Sequence, residues 1–326
     1  MALRVLFLGS GLDGVSWRFR IAQYLAPLRA TGIQADVADL HRPLGERLRV
    51  LRSAARYDVV YLHRALLSPI EQGWLRRSAP RCVFDFDDAI MVRDSAARRF
   101  DSWQRRRRFA RAVRGAGTVV AGNAYLAGWA ARYGAATTII PTAVDLSPYP
   151  LDRREEGAPV VGWMGTRPNL MYVRTLLPAL ARLATRRPQI TIRIVSDGTL
   201  DAPGLPLRNT PWSLADEVAD LRSFQVGIMP LPDDPWTRGK CALKILQYFA
   251  AGVPVVCSPV GANLDVVEHG RSGYFAASPD EWVARLEELL DDPVRRRRFG
   301  ACGRATVEQR FSVPATLPQL LRALAP

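Results

Sequence analysis

Lysine is nearly absent from this chain of 326 residues: only Lys240 and Lys244 occur, against 43 arginines. Long apolar runs are absent too. No stretch reaches the roughly 18 apolar residues needed to span a bilayer, and the opening "MALRVLFLGSG" turns to glycine before the hydrophobic region of a signal peptide could be completed. A cytoplasmic protein is expected, with peripheral contact at the inner face of an anionic membrane left open. The four cysteines, Cys82, Cys241, Cys257 and Cys302, stand far apart with neither CxxC spacing nor Cys/His pairing, which argues against zinc-site and disulfide-framework classes. No short-period repeat or low-complexity segment stands out. The hydrophobic content of 48% is that of an ordinary globular protein, and the length suits two domains with separate cores.

Positive charge is plentiful but uneven. Residues 1–150 hold 23 arginines against 12 acidic residues, whereas residues 151–326 are close to balanced, with 22 Lys and Arg against 19 acids. Such a field suits nucleic acid, an anionic membrane surface or an anionic substrate, and charge alone does not choose among them.

The hydrophobic pattern is that of alternating strands and helices. "LRVLFL" reads as a buried strand, followed by a glycine loop, a helix over "WRFRIAQYLAPLRATG" and a second strand at "IQADVADL". Further strands are expected at "DVVYLH", "RCVFDF", "GTVVAG" and "ATTIIP", with helices at about 44–56, 68–78 and 96–115. The polar, turn-rich "LDRREEGA" then precedes a new apolar strand, "PVVGWMG". That places a domain boundary, giving domains over 1–150 and 151–310 and a C-terminal helix over 311–326 that packs back on the first domain. The second half repeats the alternation: helix 170–186, strand "ITIRIVS", helix near 214–222, strand "VGIMPL", the lysine-bearing helix, strand "PVVCSP" and helices from 280 onward. The expected fold class is α/β, with two doubly wound Rossmann-like domains facing a cleft and the chemistry in their strand-to-helix loops.

The two lysines stand together in "PDDPWTRGKCALKILQYFAAGVPVV". If a helix begins near Lys240, a turn of about 100° per residue brings Lys240, Lys244 and Gln247 onto one polar stripe. Two ammonium groups in a first helical turn oppose the helix dipole by roughly 0.3–1 kcal/mol, a conflict that a bound anion relieves. Free backbone N–H groups, the dipole and two cations suit a diphosphate, with Gly239 allowing close approach. The alternative is a pair of lysines reaching to water from a partly buried helix.

Downstream, "LQYFAAGVPVV", "VGANLDVVEHGRSGYF" and "DPVRRRRFGACGRATVEQRFS" occur in order. They resemble the nucleotide-sugar domain of family 4 (group 1) glycosyltransferases, the retaining, metal-independent enzymes of the GT-B type. "IIPTAVD" resembles that family's crossing into the second domain, and "GNAYLAGWAARYG" the segment before it; the resemblance covers most of residues 118–312. It implies transfer of a sugar from a nucleotide-diphosphate sugar, which serves as co-substrate without cofactor or metal. The acceptor hydroxyl would belong to a glycan, a lipid-linked molecule or a small molecule. The family's Glu-x7-Glu signature falls on Gly239 and Gln247, so both glutamates are missing, although the Gln247 amide can still meet ribose hydroxyls. The resemblance assigns Lys240, Lys244 and the turn of Cys241, Ala242 and Leu243 to the diphosphate, and Gln247 to the ribose.

Other loops offer candidates. "GSGLDG" satisfies GxGxxG through Gly9, Gly11 and Gly14 between a strand and a helix, the context of a dinucleotide site; in the glycosyltransferase reading Gly11 approaches the donor. Arg18 and Arg20 follow on the first helix as acceptor contacts or as a solvated face. "FDFDDA" brings Asp85, Asp87 and Asp88 to a strand end, where they could chelate Mg²⁺, cap a helix or, as preferred here, let Asp85 or Asp87 contact sugar or acceptor hydroxyls. His63 ends its own strand as a substrate contact or a rim histidine. In the second half, the backbone of Gly162, Gly165 and Thr166 can line a phosphate beside Arg167 or Asn169. By the resemblance "NTPWS" marks the nucleobase loop, making Trp212 a stacking candidate, and Trp236 shapes a sugar pocket or packs in a core. "RRFDSWQRRRRFARAVRG" combines aromatics with arginines, as a helix lying on an anionic membrane or a solvated face does.

The expected function is therefore glycosyl transfer, with Lys240, Lys244 and Asp85 as the principal acting side chains. Two competitors remain: an NAD(P)-dependent dehydrogenase using "GSGLDG" with Asp36 or Asp39 on the ribose, and a non-catalytic polyanion-binding protein driven by the basic first half. No sequence-specific nucleic-acid partner is expected.

Overall fold

The structure is a computed structural model that describes residues 2–150 and 158–325. The segment 151–157, where the sequence places the boundary, lies outside the described residues. The chain divides into two compact units. The first comprises Met1–Ala143, Asp234–Cys241 and Val313–Pro326, and the second comprises Val144–Asp233 and Ala242–Ser312.

In the first unit, β1 (Arg4–Gly9), β2 (Gln34–Asp39), β3 (Val59–His63), β4 (Cys82–Phe86), β5 (Thr118–Ala121) and β6 (Thr137–Ile139) form one sheet. Its order is β2-β1-β3-β4-β5-β6, with every pair parallel. Parallel strands are covered on both faces, so they read as unbroken apolar runs, yet alternate residues still part to opposite sides. Leu6, Leu8, Val60, Leu62, Phe84 and Phe86 pack against Leu51, Leu75 and Phe109. Val5, Phe7, Val59, Tyr61 and Val83 pack against Ile21, Tyr24 and Leu28, and against Val313, Leu320 and Leu324 of the last helix, Val313–Leu324. That last helix is pinned by a 2.6 Å hydrogen bond between the Tyr24 hydroxyl and Thr316 Oγ1.

In the second unit, β7 (Val160–Met164), β8 (Thr191–Ser196), β9 (Leu207–Pro211), β10 (Val226–Met229), β11 (Val255–Cys257) and β12 (Gly273–Phe275) run parallel in the order β12-β11-β10-β7-β8-β9. The α/β class and both Rossmann-like sheets match the sequence reading. Strands β9 and β12 do not appear in it: both lie at sheet edges, one polar and the other only three residues long.

Four helices differ from expectation, the lysine-bearing one among them. Residues 15–30 form one helix with a π turn at Arg18–Ala22, and that wider turn buries Phe19, Arg20 and Ile21 in succession. The helix expected from 96 starts at Trp103, where the Ser102 hydroxyl accepts the Arg105 N–H. The span 170–186 breaks into Leu170–Arg174 and Leu177–Arg186, with Pro178 in the first turn of the second piece.

No helix begins at Lys240. Thr237–Gly239 is a single 3₁₀ turn, Lys240 is extended, Ala242 is left-handed at φ 55°, and the helix runs from Leu243 to Ala250. Lys240 therefore does not share a helical stripe with Lys244 and Gln247. The helix closes with Gly252 at φ +69°, Gly252 N–H donating to Phe249 O at 2.9 Å and Val253 N–H to Tyr248 O at 2.8 Å, a Schellman ending that uses glycine's freedom at positive φ. Among the described residues, no helix is long and apolar enough to cross a membrane.

Helix Pro293–Thr306 passes so close to this ending that a Cβ on Gly300 would lie 2.1 Å from the Gly252 carbonyl oxygen. Because the opposing atom is backbone, it cannot swing away. Gly300→Ala is expected to cost about 1–3 kcal/mol, the range for overpacking, measured as a lower urea midpoint at unchanged m-value.

Candidate functional site

In a doubly wound sheet, ligands gather outside the strand ends where the winding direction reverses. In the second unit that point falls between β7 and β10. The residues after β7 are Gly165, Thr166 and Arg167, and the helix Leu243–Ala250 follows β10. A Cβ on Gly165 would lie 2.5 Å from Lys244 Cε and 2.8 Å from the Trp163 ring. Glycine thus clears the path along which the lysine stem passes, leaving its ammonium 5.5 Å from the centroid of buried Trp163. The N-cap residue makes no side-chain bond to the first N–H groups of this helix, which begins one residue before the lysine. Behind them, the Tyr248 hydroxyl accepts the Met164 N–H and donates to Ile228 O, each at 3.2 Å, tying the helix to β7 and β10. Burial pushes the Tyr248 phenol well above its usual range despite the Met164 bond, so it stays neutral.

Gln247 and Ala242 are buried, whereas Leu243 is half-buried. Thr166 Oγ1 accepts from Asn169 at 2.8 Å, and the Arg167 N–H donates to Asp197 Oδ1 at 2.5 Å. Arg167, Pro168, Leu170, Met171, Arg174 and Gly198 line a cavity of about 730 Å³ at the ends of β7 and β8. Trp212, 38% exposed, follows β9 and donates its indole N–H to Glu217 at 3.0 Å. Sequence reading overlooked Asp197 and Trp163, although Asp197 sits directly after a strand end, where such residues are to be sought.

In the first unit the reversal lies between β1 and β3, and a denser cluster occupies it. Asp85 on β4 is fully buried, pairing with the Arg20 guanidinium and accepting from His63 Nδ1 at 2.7 Å. Arg20, only 5% exposed, also donates to Ile140 O at 2.7 Å; it is a core cation, where the sequence allowed a solvated one. Burial alone would raise the Asp85 carboxyl, but the charges of Arg20 and His63 and their hydrogen bonds win, holding it at about 2. His63 Nε2 lies 2.9 Å from Ser16 Oγ, and Ser16 donates to Asp87 Oδ2 at 2.7 Å. Asp87 is likewise held low, with burial opposing and Arg64, His63 and Arg20 prevailing.

Arg64, left-handed at φ 55°, reaches Asp87 at 3.5 Å and Asp88 at 3.0 Å, a strained backbone of the kind often found where geometry is functional. Neither Ser16 nor Arg64 was singled out by the sequence, although Ser16 opens the helix after the glycine loop. Arg18 packs its guanidinium 4.4 Å from the Phe19 ring. The Gly11 and His41 N–H groups both donate to Asp39 Oδ1, at 3.1 and 2.8 Å, so Asp39, one of the two acids offered to a dinucleotide ribose, holds the loop, while the other, Asp36, accepts from the Tyr57 hydroxyl at 2.9 Å. Among the described residues, no group of three or more His, Cys, Asp or Glu side chains is arranged to hold a metal ion.

The stretch Asp234–Cys241 belongs to this unit. Ser95 donates to Asp234 at 2.7 Å, Tyr125 to Pro235 O at 3.1 Å, Asn123 to Lys240 O at 3.2 Å and the Cys241 thiol to Asp87 O at 3.3 Å. Burial, reinforced by Asp87, keeps that thiol protonated. Lys240 Nζ lies 3.9 Å from Asp88 and 5.3 Å from the Trp236 ring centroid. A Cβ on Gly239 would come within 2.7 Å of Ala89 Cβ and 2.9 Å of Ala89 N. There is no room at this position for the glutamate that the resemblance carries.

The comparisons fit this geometry. Among solved structures, sucrose-phosphate synthase from Thermosynechococcus elongatus superposes with a TM-score of 0.77 at 17% identity, covering 99% of both chains. Anabaena HepE in complex with UDP and glucose superposes with a TM-score of 0.71 at 18% identity, again over 99% of both. The fold is thus the two-domain, Rossmann-like α/β fold of GT-B glycosyltransferases. Residues 158–292 match the family model described as glycosyl transferases group 1. The D-inositol 3-phosphate glycosyltransferase of Thermobispora bispora is 28% identical over 214 residues, which are 56% of this chain and 49% of that protein. The enzyme of the same name from Stackebrandtia nassauensis is 30% identical over 217 residues, 57% of this chain and 48% of its own length. The matched stretches thus span less than half the length of these curated relatives.

Two tests follow from the first unit. Since the folded Asp85 carboxyl sits at about 2 rather than 3.8, it contributes on the order of 2 kcal/mol of stability in full above about pH 4, lost as pH falls through about 2. In Asp85→Asn, urea midpoints compared at pH 7 and pH 2.5 should lose that part of the acid dependence. Gly239→Glu should lower stability by about 1–3 kcal/mol through overpacking against Ala89; an unchanged urea midpoint would show that the segment can move aside.

Proposed function

We propose that this chain is a glycosyltransferase that moves a sugar from a nucleotide-diphosphate sugar to an acceptor hydroxyl, with retention and without a metal. The observation that carries the reading is Lys244, laid over Gly165 at the winding reversal of the second unit, inside the stretch that matches group 1 glycosyltransferases. Lys244 and the first N–H groups of its helix bind the leaving diphosphate, whose developing charge they stabilise. Gly165, Thr166 and Arg167 line the donor phosphates, Leu243 and Ala242 complete the turn, Gln247 serves the ribose, and Trp212 lies near the base. The cavity beside Arg167 suits the nucleoside.

The first unit takes the acceptor, a glycan, a lipid-linked molecule or a small molecule, with Asp87 offering a carboxylate to its hydroxyl. Lys240 acts there through Asp88, whereas Asp85, Arg20 and His63 support the site from beneath. Helix Trp103–Arg114, with Trp103 67% exposed and Arg107 stacked 4.5 Å from its ring centroid, offers aromatic and cationic groups to an anionic membrane surface.

The test is incubation with UDP-, GDP- and ADP-sugars while measuring released nucleoside diphosphate, alongside thermal shifts with UDP, GDP, ADP, NAD and a DNA oligomer. Release with at least one donor is expected, and Lys244→Ala should lower kcat/KM by about 10²–10³, as loss of a preorganised charge-stabilising group does. Stabilisation by NAD or DNA alone, with no diphosphate release, would replace this reading with one of its competitors.

A further inference from the structure

At the ends of β3 and β4 the hydrogen bonds can be counted proton by proton. Ser16 has one hydroxyl hydrogen, and its Oγ lies 2.7 Å from Asp87 Oδ2 and 2.9 Å from His63 Nε2. An ionised carboxylate only accepts, so the hydroxyl hydrogen goes to Asp87 and Nε2 must supply the other. Across the ring, Nδ1 lies 2.7 Å from Asp85 Oδ2, which also receives Arg20 Nε at 3.3 Å. Asp85 cannot donate either, so Nδ1 also bears a hydrogen.

We propose that His63 is held as an imidazolium and acts as a positioning residue: donating from both nitrogens, it fixes Ser16 as the donor to Asp87 Oδ2. Asp87 Oδ1, buried and without a hydrogen-bond partner, is left to its ion pair with Arg64 at 3.5 Å.

The groups around the ring are Asp85 and Arg20 on one side, and Ser16, Asp87 and Arg64 on the other, with Asp88 bound beyond to Arg64 and, at 3.9 Å, to Lys240. The Trp17 ring, 6.1 Å away, and the Tyr61 phenol and Cys241 thiol, kept neutral chiefly by burial, bring no charge. Loss of the ring proton frees the Ser16 hydrogen to turn towards Nε2, and Asp87 Oδ2 then loses the bond that orients it.

The experiment is long-range ¹H–¹⁵N correlation on the unliganded protein labelled at its histidines, of which there are three, with His63 assigned through His63→Gln. At pH 7 both His63 ring nitrogens should show the protonated signature, and Asp87→Asn, which removes one facing carboxylate, should convert the ring to a neutral tautomer at the same pH. A neutral His63 in the unaltered protein, or an unaltered ring in Asp87→Asn, overturns the inference. The readout needs no turnover, so it stands or falls apart from the diphosphate-release assay that decides the proposed function.

Discussion

A charge sealed away from water has to be matched where it stands, and the first unit is organised around that demand at Asp85. Its carboxylate lies on a central strand with no exposure, so leaving it alone would cost several kcal/mol. Arg20 meets it from the π turn of the first helix, and the same guanidinium reaches the carbonyl of Ile140 just past β6. His63 meets it from the next strand. One carboxylate thereby ties the first helix, β3, β4 and the exit from β6. The outer polar groups, Ser16, Asp87 and Arg64, take their places from that buried pair.

The second unit solves its site differently, by clearance. Glycines let large groups cross the sheet: Gly162 lies under Phe224, Gly227 under Tyr248 and Gly165 under the Lys244 stem. The lysine is then placed by shape, its methylenes over a glycine and its charge near an indole face, where cation–π attraction adds about 0.5–1 kcal/mol at an exposed site and more when desolvated. Here the tolerance of the site resides in packing, whereas in the first unit it resides in matched charge.

Much of this is legible in the amino-acid sequence. Unbroken apolar runs such as "VLFL" and "VVYL" mark buried parallel strands, and the loops after them hold most of the polar groups brought together here. Edge strands β9 and β12 escaped because one is polar and the other too short for a period to register. The phase of the first helix also escaped, since a π turn leaves no mark in a pattern read at 3.6 residues per turn, and with it went the burial of Arg20. The lysine stretch misled for a similar reason: periodicity alone cannot reveal that Lys240 is extended and that the backbone turns left-handed at Ala242 before the helix starts.

Gly239 stands where the resembled family carries a glutamate, and its neighbours make that difference hard to reverse. Ala89, through both Cβ and backbone nitrogen, and Leu126 already occupy the volume that any side chain there would enter. Restoring the acid by a single substitution therefore carries an overpacking cost until space opens at those two neighbours, and a change there would have to come first for the glutamate to enter without that cost.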